Sequence, residues 1–347
     1  GNQKGWKMKE NLKKRLKNRG KRLMAAFMAA FMMFLAVPAG ESRADENGLL
    51  IEAIQQGQQP GQPAAGSATD SKEEAYLGGA ALTMLASQTS GQNMSFLLQT
   101  NNGEVIVIDG GLDQDADHLV ETIQSMGGRV SAWLITHPHS DHIGALTNIL
   151  NRNPVPVQID SIYYSFLSRE QYEKGDNMGR MSDYDNLMAA FSKTAPEKLH
   201  TPLSKGQEFW VDNARITVMN EPFYTEYSTF NNSSVVYRID INGKRIMFLG
   251  DLGWEPGTRL IRMWNYNELE SDVVQMAHHG QDGVGENLYQ VLHPEICFWP
   301  APDWLWDNMK DGVAGAGSYN TMKTRAWMER IGVQRNYVAK DGDQVLR

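Results

Sequence analysis

The sequence predicts an α/β fold: a four-layer αββα sandwich, two sheets face to face with helices on the outside. Two observations carry this. Strand-like runs followed by a helix, then a strand followed by a helix, occur in one half of the chain and again in the other. The residues able to carry chemistry fall at the ends of the expected strands: Asp109, the group at 137–142, Asp251 and His278. Side chains at the tips of neighbouring strands converge on one rim, which separates a site from scattered polar residues.

Taken in order, the globular part is expected over residues 76–347. Runs at 81–86, 95–99 and 104–108 read as strands, with Asn101-Asn102-Gly103 as the hairpin turn between the second and third. Residues 115–126 have helical spacing (Leu119, Val120, Ile123, Met126) and stop at Gly127-Gly128. The apolar run 130–135 reads as a buried strand, and residues 143–150 as a helix. Between 151 and 200 the pattern is less regular, with a strand at 159–164 and a helix at 184–193. A second strand-rich block follows at 207–210, 214–219, 234–241 and 245–249, its last two strands joined at Asn242-Gly243. Residues 272–277 form the strand that delivers His278-His279-Gly280. A helix at 286–292, a strand at 296–299, a helix at 321–331 and a strand at 336–339 close the chain.

The first 75 residues differ in character. Residues 4–22 are strongly basic, residues 23–37 are an unbroken apolar run, and Ser42-Arg43-Ala44 resembles a small-x-small cleavage site. Residues 1–44 therefore read as a secretory signal peptide, and the expected location is secreted or cell-surface. Left uncleaved, the 23–37 segment would instead anchor the chain in a membrane; once it is cleaved no stable span is expected. Residues 45–75, rich in Gln, Pro, Gly, Ala and Ser over 55–71, read as a flexible linker. Residues 1–44 hold 11 Lys and Arg against 2 Asp and Glu, so the remainder carries −17 although the whole chain carries −8. Such a shell repels polyanions, and duplex DNA is a disfavoured partner. The single cysteine, Cys297, cannot form an intramolecular disulfide and is expected to be buried and inert. The sequence leaves the oligomeric state open.

The densest chemical signal is Thr136-His137-Pro138-His139-Ser140-Asp141-His142. Three of the chain's 8 histidines and a carboxylate occupy six consecutive residues. Pro138 forbids immediate helix, so a strand end that turns sharply can splay alternate side chains toward one point. Imidazole and carboxylate are ligands for zinc or a similar divalent ion.

Together with Asp109 in Val107-Ile108-Asp109-Gly110-Gly111, Asp251 in Phe248-Leu249-Gly250-Asp251, and Met276-Ala277-His278-His279-Gly280, this HxHxDH pattern resembles the metallo-β-lactamase superfamily over about residues 80–300. The run Asn231-Asn232-Ser233-Ser234-Val235-Val236-Tyr237, followed by Gly250-Asp251 and Ala277-His278-His279-Gly280, looks most like the extracellular hydrolase domain of ComEC-type competence proteins. The chain departs from the superfamily where a third-motif histidine usually stands: Asn231 or Asn232 holds that place. His200 lies too far upstream to replace it and reads as structural.

The resemblance implies a metal-dependent hydrolase with two divalent ions, zinc or manganese, that acidify a shared water. It implies His137 and His139 on one ion, with Asn232 as a weak ligand; Asp141, His142 and His278 on the other; and Asp251 as the bridge. Asp109 is expected to orient a ligand rather than bind an ion. Asp141 and His279 are the expected catalytic side chains, His279 as an acid, a substrate contact or a further ligand. Trp304, in the aromatic segment 298–306, and Tyr163 are the expected substrate contacts. The expected substrate is a small or compact phosphodiester. Two competing readings are a lactone, β-lactam or other carbon-ester hydrolase on the same metal site, and a non-catalytic metal-containing surface binding module.

Overall fold

The computed structural model describes residues 75–347. The expected signal peptide, its 23–37 apolar run and all but the last residue of the expected linker lie outside the described residues. In chain order the strands are β1 (Ala81–Met84), β2 (Ser95–Gln99), β3 (Val105–Asp109), β4 (Arg129–Val130), β5 (Ala132–Leu134), β6 (Gln158–Ile159), β7 (Ile162–Tyr163), β8 (Leu199–His200), β9 (Glu208–Val211), β10 (Ala214–Val218), β11 (Tyr237–Ile241), β12 (Lys244–Phe248), β13 (Val273–Gln275), β14 (Ile296–Trp299), β15 (Arg335–Val338) and β16 (Gln344–Leu346).

They form two seven-stranded sheets, ordered β16-β1-β2-β3-β5-β7-β8 and β15-β14-β13-β12-β11-β10-β9, while β4 and β6 pair separately. Each large sheet is mixed. The hairpins β2–β3 and β11–β12 are antiparallel, and β3–β5 and β12–β13, where helices intervene, are parallel. Parallel neighbours need a crossover, and the crossover helix covers the outer face of the sheet.

Alternation along the strands sorts side chains into layers. Ile106 and Ile108 of β3 face the second sheet, meeting Ile239, Ile246 and Phe248 in one cluster. Val105 and Val107 of the same strand face outward onto Leu119, Ile123 and Leu146 of the helices Ala116–Ser125 and Ser140–Leu150. On the far side Met247, Val274, Cys297 and Trp299 face outward onto Leu260, Leu288 and Met328. Strands buried on both faces must be apolar throughout, which is why the runs at 105–108 and 296–299 contain no polar break. Between the sheets the Phe96 ring meets Phe248 and Phe298 edge-on, at centroid distances of 5.3 and 5.8 Å. This is the αββα arrangement expected from the sequence.

Local signals set the element boundaries. The helix Ala116–Ser125 ends with Gly127 N donating to Gln124 O at 3.1 Å and Gly128 N to Ile123 O at 2.9 Å. Both glycines have positive φ, and the paired bonds satisfy carbonyls the helix end leaves open. Several elements depart from the expectation, and two of them have a clear physical reason. β16 pairs antiparallel with β1, Leu346 opposite Leu82, and closes the edge of the first sheet. The helix Trp254–Met263 forms although Pro256 and Gly257 sit in its first turn. Proline is tolerated there because a first-turn N–H has no intrahelical partner.

Cys297 is fully buried, its Sγ 3.8 Å from Met328 Sδ, and burial pushes its thiol up. The thiol is therefore expected to resist a thiol-specific disulfide reagent in the native protein and to react fully in denaturant, as a colorimetric thiol count would register. Among the described residues, no helix is long and apolar enough to cross a membrane.

Candidate metal centre

Four segments meet at one end of the two sheets. The first is the turn after β5, where the helix Ser140–Leu150 starts immediately beyond His139. The second is the end of β3, where Asp109 holds φ 60°. The third is Gly250-Asp251 after β12, and the fourth is Ala277–Gly280 after β13. Val235 N donates to Thr136 O at 2.9 Å, tying the two sheets together at this point. Gly250 has φ 57°, and a Cβ there would stand 2.8 Å from Thr136 Cβ and 2.9 Å from Ser234 Oγ, so only glycine fits the approach.

The donor side chains fall into two groups that share Asp251. His137, His139 and Asp251 form one; Asp141, His142, Asp251 and His279 form the other, with ligand atoms within 4.8 Å of one another. His142 Nε2 lies 3.2 Å from Asp251 Oδ1, and His137 Nε2 and His279 Nε2 each lie 3.8 Å from Asp251 Oδ2. His137 Nε2 is 3.1 Å from His139 Nδ1, and His279 Nε2 is 3.0 Å from Asp141 Oδ2.

Hydrogen bonds on the far side of the rings aim the inner nitrogens. Asp109 accepts from Thr136 N and Thr136 Oγ1, each at 2.7 Å, and lies 2.7 Å from His142 Nδ1. A carboxylate committed as an acceptor makes that Nδ1 the protonated atom and turns the His142 Nε2 lone pair inward. His279 Nδ1 lies 2.9 Å from Pro300 O, a carbonyl that can only accept, so its Nε2 is likewise directed into the group. His139 stacks flat on Phe230, rings 5.0 Å apart and 4° from parallel. Ser234 Oγ accepts from Asp251 N at 3.0 Å and lies 3.2 Å from His137 Nδ1, bracing both groups at once.

The electrostatics suit a divalent cation. Burial pushes His137 well below the ordinary imidazole range, helped by repulsion from His142, and burial lowers His139 to about 4, so both rings stay neutral with a lone pair free. Burial opposes ionisation of Asp251, yet His142, His279 and His278 outweigh it and hold the carboxyl well below its usual range. Asp141 is lowered too, by His142 and His279 against the same burial penalty. Burial likewise disfavours protonated His142, but Asp251, Asp109 and Asp141 raise it well above the ordinary value. His142 Nε2 and Asp251 Oδ1 are buried with no hydrogen-bond partner. Buried polar atoms are ordinarily satisfied, and two orphaned donor atoms facing each other among nitrogen and carboxylate ligands fit a divalent ion between them.

Several expected site residues stand elsewhere. Asn232, expected as a weak ligand, has its amide committed: Oδ1 accepts from Gly253 N at 3.1 Å, and Nδ2 donates to Thr225 Oγ1 and Tyr227 O at 3.0 and 3.1 Å. Asn231 is the amide that turns toward the centre, its Nδ2 3.4 Å from His278 Nε2 and its Oδ1 buried without a partner. Trp304, expected to contact substrate, donates from Nε1 to Ser90 O at 2.7 Å and packs near Tyr319, at 5.7 Å between rings. Tyr163 is sandwiched between His200 and Phe209 at 4.4 and 3.9 Å. Both rings are held by these contacts, and neither joins the donor groups.

The order of the tandem histidines also differs from the expectation. His279, not His278, joins Asp141 and His142; with Nδ1 held by Pro300 and Nε2 in the donor group, it has no nitrogen left to act as an acid. The strand expected over 272–277 ends at Gln275, and both histidines lie in a tight turn with φ 49° and 56°. Sequence reasoning missed Ser234, and it also passed over Trp254 and Tyr227, which are 66% and 53% exposed. Trp254 stands three residues beyond Asp251, and that proximity was the available signal.

The fold and this arrangement define a class: an αββα sandwich carrying, at the tips of its strands, His and Asp side chains grouped so that they could hold metal. The chain belongs to the metallo-β-lactamase superfamily, whose family model matches residues 89–283. No curated protein matches the sequence. Solved structures similar to it include CmlA, a diiron β-hydroxylase from Streptomyces venezuelae, at 12% identity over 77% of this chain and 54% of that one, with a TM-score of 0.47. The chain thus spans about half the length of that hydroxylase. Others are YhfI, a metallo-β-lactamase fold protein from Bacillus subtilis, at 11% identity, coverage of 77% and 99%, and a TM-score of 0.46, and zinc-bound PqqB from Methylobacterium extorquens, at 13% identity, coverage of 77% and 99%, and a TM-score of 0.46.

Proposed function

We propose that the chain hydrolyses phosphodiester bonds, using two divalent ions, zinc or manganese, held on either side of Asp251. The observation that carries this reading is the membership of Asp251 in both donor groups. His137, His139 and Asp251 would hold one ion, and Asp141, His142, His279 and Asp251 the other. When bound, the ions supply Lewis acidity: they acidify water and stabilise charge developing on a substrate oxygen.

The protein's own residues fix the rest. Asp109 holds the His142 ring, Pro300 O holds the His279 ring, and Ser234 braces the backbone of Asp251. Rigid support of this kind places donors without reorganisation during reaction. His137, His142 and His279 are fully buried, which keeps their rings out of bulk water. Just beyond Asp251 in the chain, the exposed indole of Trp254, together with the ring of Tyr227, its hydroxyl 2.6 Å from Glu255 Oε2, would offer apolar faces to a base or sugar. A strongly anionic body favours a compact phosphodiester over long duplex DNA. The choice of phosphorus over carbon is supported by the ComEC-type motifs at 231–237, 250–251 and 277–280. The basic and apolar stretches at 4–37 support a secreted or cell-surface location.

Purified protein is expected to cleave bis-p-nitrophenyl phosphate, to lose that activity in a chelator, and to regain it with manganese or zinc. Turnover of a lactone or a chromogenic β-lactam with no phosphodiester cleavage would overturn the choice of substrate. Indifference of every activity to chelator would overturn the metal mechanism.

A further inference from the structure

The superfamily's usual third-motif histidine is missing, and Asn231 stands in its place. Around the second donor group the protein offers four side chains; around the first it offers three. His278 is the imidazole left over. It is 23% exposed, and its Nε2 lies 3.8 Å from Asp251 Oδ2, the same distance as His137 Nε2 from that oxygen.

The two tandem histidines have different neighbours, and His278 stands outside both donor groups. His279 contacts Asp141, and its ring lies 5.4 Å from that of His142. His278 instead meets Asn231, the neighbour of the Phe230 ring that stacks on His139. In a strand, consecutive side chains alternate across the sheet and only one of the pair would reach the centre. Here His278 and His279 both occupy the left-handed region, at φ 49°, ψ 51° and φ 56°, ψ 16°. Two successive non-glycine residues in that region cost conformational energy, and such strain persists where surroundings enforce it, commonly at functional sites. The turn is anchored by His278 N donating to Gly250 O at 3.0 Å, directly beside Asp251, and by Gln281 N donating to His278 O at 3.0 Å. Gly280 follows at φ 85°, where a Cβ would collide with the Trp299 ring.

We propose that the left-handed turn at Ala277–Gly280 splits its two histidines between the ions, His278 completing the first group in place of the absent histidine and His279 serving the second. This rests on the two-ion reading above. The buried, unpartnered Oδ1 of Asn231 makes that residue the competing donor for the same position.

Metal content separates the cases without reference to activity. The probes are manganese and zinc alone, counted by mass spectrometry after equilibrium dialysis, with electron paramagnetic resonance of the manganese form. Glycine is the substitution of choice, since it accepts the left-handed turn and removes only the imidazole. The parent is expected to hold two ions per chain. His278→Gly and His279→Gly should each hold one, converting a coupled manganese pair to an isolated six-line signal. The double variant should hold none. Asn231→Ala should still hold two. His278→Gly and its parent should melt at similar temperatures without metal, showing that the fold survives.

Two ions retained in His278→Gly would overturn the assignment, as would loss of both ions in that variant, whose second group is untouched. One ion retained in the double variant would mean that both histidines serve a single ion. Loss of an ion in Asn231→Ala would hand the position to the amide. A parent that binds fewer than two ions overturns the two-ion reading itself and this assignment with it, a result distinct from a normal parent with an unaffected variant.

Discussion

Replacing Asp251 with alanine is expected to lower the proposed phosphodiester hydrolysis by about 1,000-fold or more, the scale of losing a group on which transition-state stabilisation converges. Asp251 is 2% exposed and is approached by four imidazoles: His142 at 3.2 Å and His137, His278 and His279 at 3.8 Å. Removing its carboxylate withdraws the one side chain common to both donor groups and the negative charge that would offset two cations. The backbone should hold its course, because Asp251 N bonds to Ser234 Oγ whatever side chain follows. Circular dichroism of the metal-free variant should therefore match the parent, while metal content and kcat/KM collapse together. A folded variant that kept parental activity would remove Asp251 from the mechanism.

Replacing Asp109 with asparagine is expected to weaken metal binding by roughly 10- to 100-fold, the range for a group that orients a ligand from behind. The substitution preserves volume, and asparagine tolerates the φ of 60° found at this position. What changes is the hydrogen-bond chemistry. The carboxylate serves Thr136 N, Thr136 Oγ1 and His142 Nδ1 together, all at 2.7 Å. An amide cannot accept at both of its atoms. If its oxygen stays with Thr136 N, its NH2 faces His142 Nδ1, which must then become the acceptor. The ring proton moves to Nε2, the atom that faces Asp251, and binding an ion requires displacing it. Isothermal titration with manganese should show the weaker affinity, and activity should recover in part at high metal. Unchanged affinity would mean that Asp109 serves the fold alone.

Much of the sandwich follows from patterning that any reader of the chain can see. The runs at 105–108 and 296–299 are apolar on both faces because helices cover them outside and the partner sheet covers them inside. The Gly127-Gly128 stop is equally direct, since it is written in the two residues that adopt positive φ. β16 was not visible: three residues near the end of the chain gain strand structure only by pairing with β1, more than 250 positions earlier. The helix Trp254–Met263 was hidden by Pro256 and Gly257, which lower propensity without forbidding a first turn.

At the site, local spacing shows which residues gather but not which way each one faces. The HxHxDH run and the two later segments meet as expected from strand tips. The facing of His278 and His279 depended on a left-handed turn, and no periodicity argument encodes that. Asn231 and Asn232 are chemically identical and adjacent, and their separation into a residue facing the centre and a residue pinning two loops is decided by Gly253, Thr225 and Tyr227. Trp304 and Tyr163 were attractive as aromatics, but aromatic content does not distinguish a cleft wall from a packed ring.

The most direct test is anomalous diffraction from crystals grown with manganese. Two peaks are expected, one on each side of the Asp251 carboxylate, the first beside His137 and His139 and the second beside Asp141, His142 and His279. A fully soaked crystal with no peak at Asp251, or with manganese bound only elsewhere, would contradict the shared-carboxylate centre on which the proposed chemistry depends.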